Sequence, residues 1–120
     1  MPHVAVVQFS NQTGSASYDA ACKAATDTFF LTLRQLGRYR VQLEEKAAGV
    51  GEKALRAMAE ERHLDFIIYG MMSKAGSVGI DCSLSVFDRA KGRTTLSLSG
   101  TAASSYRPLS LSGRLRGPIR

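Results

Sequence analysis

Residues 78 to 99 carry the pattern that most restricts what this chain can become. Val78, Ile80, Cys82, Leu84 and Val86 alternate without a break with Gly79, Asp81, Ser83 and Ser85. That period of two suits a strand with one buried face and is incompatible with an amphipathic helix. After the turn-forming stretch Phe87-Asp88-Arg89-Ala90-Lys91-Gly92, Thr94, Leu96 and Leu98 alternate with Thr95, Ser97 and Ser99. Two alternating runs about a short, glycine-containing turn predict an antiparallel hairpin. One of its faces is apolar and must be covered; the other is a row of hydroxyls.

The preceding residues alternate between strand and helix signals. Residues 3 to 9 are rich in valine and lead into the polar stretch Ser10-Asn11-Gln12-Thr13-Gly14, as a buried strand followed by a loop does. From Ser17, read as an N-cap with Asp19 in the first turn, Tyr18, Cys22, Ala25, Phe29, Leu33 and Leu36 recur at helical spacing. Gly37 is placed to end that helix in a left-handed conformation, with Arg34 and Arg38 near the negative end of its dipole. Residues 38 to 43 alternate as a short strand. A second helix is predicted from about residue 51 to 62 with Leu55, Met58 and Ala59 inward. Asp65-Phe66-Ile67-Ile68-Tyr69-Gly70 is a dense apolar run, typical of a central strand covered on both faces.

The predicted fold class is therefore α/β: a single domain with a mixed five-stranded sheet, in the order β-α-β-α-β-β-β. Strand-helix-strand units of this length imply right-handed crossovers between parallel strands, and the closing strands add an antiparallel meander. Both helices are expected on one face of the sheet. The other face, lined by Asp81, Ser83, Ser85, Ser97 and Ser99, is expected to meet water or a partner.

A chain of 120 residues, 44% hydrophobic and 22% charged, is long enough for one core and too short for two domains. The formal net charge of +6 is unevenly placed. Arg107, Arg114, Arg116 and Arg120 lie beyond the last acid, Asp88, and setting those four aside leaves +2. The expected organisation is an α/β domain over residues 1–103 and a basic tail or linker containing Ser, Gly and Pro over 104–120. With four arginines and no series of aromatic residues for stacking, no nucleic-acid partner is expected. No apolar run approaches the roughly 20 residues that span a bilayer. The start of the chain carries no export signal, so membrane attachment is expected only through an anchor or a longer chain.

The chemistry-bearing residues do not assemble into a catalytic pattern. Asn11, Gln12, Thr13 and Gly14 lie between a strand and a helix amino terminus, where α/β folds often hold phosphate. Yet no G-x-G-x-x-G and no glycine-rich loop ending in Lys-Ser or Lys-Thr is present. The loop is a candidate contact segment, with plain helix capping as the structural explanation. Cys22 and Cys82 are both expected to be buried thiols packed in the core, and the sequence leaves open whether they pair. Neither spacing matches a metal knuckle, and His3 and His63 lack partners for a metal site. Glu44-Glu45 and Glu60-Glu61 are neighbours that diverge in direction, so a solvated face is the default. No serine occurs in a nucleophile elbow. The expectation is a non-enzymatic chain with no cofactor, no metal and no catalytic residue.

Val4-Ala5-Val6-Val7-Gln8-Phe9-Ser10-Asn11-Gln12-Thr13-Gly14 resembles the opening strand and loop of the CsgG-like family of bacterial cell-envelope proteins. Leu64-Asp65-Phe66-Ile67-Ile68-Tyr69-Gly70 is similar to a strand of that family and of the TolB amino-terminal domain, and Val86-Phe87-Asp88-Arg89-Ala90-Lys91-Gly92-Arg93 to their hairpin. FlgO-like proteins share the resemblance, which covers most of residues 3 to 100. It implies a protein-interaction or assembly domain of the periplasm or cell envelope, with a protein partner or self-association. The sequence lacks the lipidated cysteine and membrane-spanning hairpins of the secretion channel and the propeller repeats of TolB. The alternative is a small-ligand or nucleotide-sensing domain attached to a larger signalling protein, possible also in the cytoplasm, using the loop at Asn11 to Gly14.

Overall fold

The densest apolar run becomes the middle of the sheet. In the computed structural model, which describes residues 1–45, 51–77 and 79–103, the strands are β1 (His3–Val7), β2 (Ser10–Gln12), β3 (Arg40–Glu44), β4 (Phe66–Ala75), β5 (Gly79–Asp88) and β6 (Arg93–Ala103). The helices are α1 (Asp19–Leu36) and α2 (Glu52–Arg62). The sheet runs β3-β1-β4-β5-β6, with β2 paired to β4 beyond the end of β1. β1 is parallel to β3 and β4, while β4-β5-β6 is an antiparallel meander. The mixed α/β architecture is the one read from the sequence.

Among the described residues the sheet has six strands, not five, because the first predicted strand is broken. The Gln8 N–H makes the last bond to β3, donating to the Glu44 carbonyl at 2.8 Å, and the Phe9 N–H then leaves the ladder and donates to the Thr26 hydroxyl at 2.9 Å. The chain then rejoins β4 as β2, with Ser10 opposite Met71. β4 accordingly extends to Ala75, well past the apolar run, and takes in Met71 and Met72.

A larger correction concerns the helices, which pack on opposite faces rather than on one. Ala5, Val7, Ile67 and Phe87 form the core with Leu55, Met58 and Ala59 of α2 and with Leu64. Val4, Phe66, Ile68 and Val86, which point the other way, lie beside Leu33 of α1 and Tyr39. The cause is strand order. The crossover from β1 to β3 moves one way along the sheet, and the crossover from β3 to β4 moves back across β1. Two right-handed crossovers in opposite directions place their helices on opposite sides. β1 is therefore sandwiched, and Val4, Ala5, Val6 and Val7 are all buried.

Local chemistry explains the helix ends. Ser15, not Ser17, accepts a backbone N–H: its hydroxyl caps the 3-10 turn Ala16–Tyr18, from which α1 continues at Asp19. Gly37 ends α1 at φ 68°, its N–H donating to the Arg34 carbonyl at 3.2 Å. This is a conformation glycine adopts without a steric penalty. α2 ends on His63 at φ 55°, and the next residue, Leu64, donates its N–H to the Ala59 carbonyl at 2.9 Å while its side chain is fully buried. A hydrophobic closure of this kind fixes the exit angle of a helix. α2 is fastened to the hairpin by Arg56, which donates to the Gly92 carbonyl at 3.0 Å, and by Glu52, which accepts the Thr94 N–H at 3.0 Å.

Candidate interaction surface

The two helices are too short to cover a sheet whose last three strands are ten or eleven residues long. α1 packs on β1, β2 and β3, and α2 touches β4 and β6 near the hairpin turn. Among the described residues, neither helix covers β6 from Leu96 to Gly100, every residue of which is exposed. On the α1 side this bare region is apolar. Leu96 pairs with Val86 and Leu98 with Leu84 across the hairpin, so the four share one face. Leu96 is 47% and Leu98 56% exposed. Between these strands and α1 runs an open groove of about 510 Å³, lined mainly by Phe9, Phe29, Met72, Ile80, Leu84 and Leu98, with Cys82 on its floor and no charged side chain in its wall.

The groove's inner wall is fixed by close packing. Phe9 and Phe29 stack with ring centroids 5.8 Å apart and planes inclined by 16°, an arrangement favoured by their quadrupoles when offset. Phe9 lies directly over Gly70: a Cβ there would come within 2.6 Å of the Phe9 ring and closer still to the Ser83 carbonyl oxygen. The glycine is what allows the ring to approach the sheet.

The opposite side of the same strands carries the hydroxyl row read from the sequence. Ser83 faces Ser99 and Ser85 faces Ser97 across the ladder, with the Ser85 and Ser97 hydroxyls 3.2 Å apart. Asp81 accepts from the Thr101 hydroxyl at 2.5 Å. Ser97 and Ser99 are exposed, and Asp81, Ser83 and Ser85 are half-buried. The sequence reading missed that the apolar side of the hairpin is equally open, because it assumed both helices would cover it. The signal lay in the strand order, which no local pattern encodes.

The loop at Asn11 to Gly14 is closed on itself. Asn11 and Gln12 belong to β2. The Asn11 side-chain carbonyl accepts from the Thr13 N–H at 3.0 Å and from its hydroxyl at 2.6 Å, and its amide donates to the Ser15 carbonyl at 2.9 Å and to Asp19 at 2.7 Å. Thr13 is buried at 4% exposure, and Gly14 turns at φ 83°. The α1 amino terminus already holds a carboxylate, Asp19, in its first turn, so the dipole that would attract an anion is met from within the chain.

Cys22 and Cys82 are both free thiols. Cys22 is buried as expected, whereas Cys82 is half-buried in the groove. Burial, then the nearby Asp19 and Cys82, push the Cys22 thiol above its usual range, which leaves it protonated and unreactive at neutral pH. His63 caps α2, and His3 donates its backbone N–H to the Asp65 carboxylate at 2.8 Å. Among the described residues no group of three His, Cys, Asp or Glu side chains is placed to hold a metal ion, and no helix is long and apolar enough to cross a membrane.

No protein-family model matches this chain, and no curated protein sequence is significantly similar to it. Solved structures, however, share its architecture. A single-substitution variant of PelC from Paraburkholderia phytofirmans, solved as a dodecamer, superposes with a TM-score of 0.58 at 20% identity, over 85% of this chain and 72% of that one. Lipoprotein GNA1162 of Neisseria meningitidis gives 0.59 at 15% identity, over 92% and 88%. This chain has their fold. TolB of Acinetobacter baumannii superposes at 0.56 and 16% identity over 87% of this chain, which spans only 24% of TolB. The likeness to TolB read from two sequence motifs thus holds at the level of fold.

Proposed function

We propose that this chain is a non-enzymatic interaction or assembly domain of a bacterial cell-envelope system, periplasmic or attached to the membrane through a lipoprotein-type anchor. One observation carries the reading: among the described residues β6 is exposed on both sides from Leu96 to Gly100, with Leu96 and Leu98 about half exposed beside an uncharged groove. Apolar side chains concentrated in a single open patch mark a docking surface. The hydroxyl row from Asp81 to Ser99, on the opposite side of the same strands, offers a polar contact face, and the loop at Asn11 to Gly14 a further contact segment. The fold shared with a lipoprotein and with a protein solved as a dodecamer supports both the envelope setting and a role in assembly. The CsgG-like motif at residues 4 to 14 belongs to the same reading. A ligand-sensing role draws no support from that loop, whose polar groups bond to one another.

A photo-crosslinking residue placed at Leu98, in cells producing the full-length protein, tests the proposal. The expected result is a discrete protein adduct from position 98 and none from a control at Glu60 on the exposed side of α2. Absence of any adduct at 98, or equal adducts from both positions, would refute it.

A further inference from the structure

Among the described residues, the edge of the sheet formed by β6 carries none of the common protections against pairing from Leu96 to Ala103. Past Arg93 the strand reads Thr94-Thr95-Leu96-Ser97-Leu98-Ser99-Gly100-Thr101-Ala102-Ala103: ten residues with no charge and no proline. Its one irregularity falls at Thr95, where the register against β5 shifts between Val86 and Phe87. From Leu96 to Ala103 the pairing with β5 is regular, so the outward N–H and C=O groups of this stretch form a straight row that no other described strand pairs with. Natural edges of this length are blunted by lysines, prolines, bulges or a covering element. The other edge shows that contrast: β3 has five residues, begins with Arg40 and ends with Glu44, which is ion-paired to Arg62.

We propose that β6 pairs antiparallel with β6 of a second copy of this chain, joining two sheets into one. This rests on the assembly reading and deepens it by naming an occupant for the bare edge. Charge selects the site. Residues 94–103 carry no charged side chain, so two copies can meet along them without setting like charges opposite one another. Length selects the partner, since a five-residue β3 edge would leave much of β6 unsatisfied while a second β6 matches it residue for residue. Symmetry completes the fit. In a two-fold antiparallel pair with in-phase register, residues of like parity share a face, so Leu96 and Leu98 of both copies form one continuous apolar row and Ser97 and Ser99 form a hydroxyl ladder on the other side. Strand pairing alone falls short of the roughly 1,200 Å² of a stable interface, and the leucine row supplies the additional apolar contact.

The test uses the whole chain in solution. Light scattering across a hundredfold concentration range is combined with amide hydrogen exchange at its two extremes. The expected result is a monomer-dimer equilibrium, with concentration-dependent protection in residues 96–101 and none in Arg40–Glu44. Leu98→Lys and Ser97→Lys, one on each face of the exposed strand, should each yield a folded monomer by circular dichroism. A chain that stays monomeric throughout, a dimer whose β6 amides gain no protection, or a dimer that survives both lysines would each overturn the pairing. If the pairing fails while position 98 still crosslinks to a different envelope protein, the docking reading stands and only the second copy as its occupant is lost. If neither occurs, both are lost.

Discussion

The Thr26 hydroxyl accepts the Phe9 backbone N–H at 2.9 Å and donates its own proton to the Cys22 carbonyl at 2.7 Å. Thr26 is fully buried. This one side chain allows the first strand to break: Phe9 leaves the ladder without an orphaned donor, and its ring is free to stack on Phe29 at the groove wall.

Thr26→Val keeps the shape and removes the acceptor. A buried donor left unpaired costs about 1–3 kcal/mol, so the urea midpoint should fall accordingly, while Thr26→Ser should retain most of the stability. Equal losses in the two variants would mean that packing, not the hydrogen bond, sets the role of this residue.

Gly70→Ala should destabilise although alanine is ordinarily the better residue in regular structure. The new Cβ would press on the Ser83 carbonyl oxygen even more closely than on the Phe9 ring, and that oxygen is a backbone atom that cannot rotate away. Overpacking of this type costs about 1–3 kcal/mol. Thermal melts of the variant with wild-type stability would show that Phe9 and β5 do not approach this closely.

Core and surface apolar positions should separate cleanly. Phe87 is the largest fully buried side chain among the described residues, and Phe87→Ala should cost about 3–5 kcal/mol. Leu98→Ala removes a side chain that is more than half exposed and should change monomer stability by no more than about 0.5 kcal/mol. Chemical denaturation of both at low protein concentration makes the comparison.

Asp65 predicts the acid limb of the stability curve. The His3 N–H, bonded to its carboxylate at 2.8 Å, holds its pKa below the usual carboxylate range, partial burial opposes that, and Arg89 at 3.5 Å adds to the depression. A depressed folded-state pKa stabilises the fold above the unfolded value of about 3.9, and this contribution is lost as pH falls through the lower folded value. Asp65→Asn should therefore be less stable than wild type at pH about 7 and show a shallower loss on acidification below pH about 4. Parallel pH profiles would contradict the assignment.

How much of this could be read from residues alone depends on the range of the information. Patterns contained within one element were legible: the alternation of residues 79 to 86, the inward set Leu55, Met58 and Ala59, and Gly37 as a helix end all stand as read. The break after Val7 was invisible, because Phe9 continues the apolar run and its compensating acceptor lies 17 residues away. The placement of the helices was invisible too, since it follows from β1 lying between β3 and β4. That order made the apolar face of β6 an open surface instead of a buried one. The hydroxyl row was found for the right local reason, and the groove behind it was missed. The basic stretch at 104–120 lies outside the described residues.

Maleimide labelling of single cysteines in a Cys22→Ala, Cys82→Ala background probes the bare hairpin most directly. With helices on opposite faces and neither reaching the outer half of β6, Leu98→Cys and Ser97→Cys should both react in the native monomer nearly as fast as in denaturant, while Ile67→Cys stays protected. If both helices covered the apolar side, Leu98→Cys would be slowed about tenfold for each 1.4 kcal/mol of opening it required. Such slowing, with Ser97→Cys still fast, would contradict the open apolar face on which the docking surface depends.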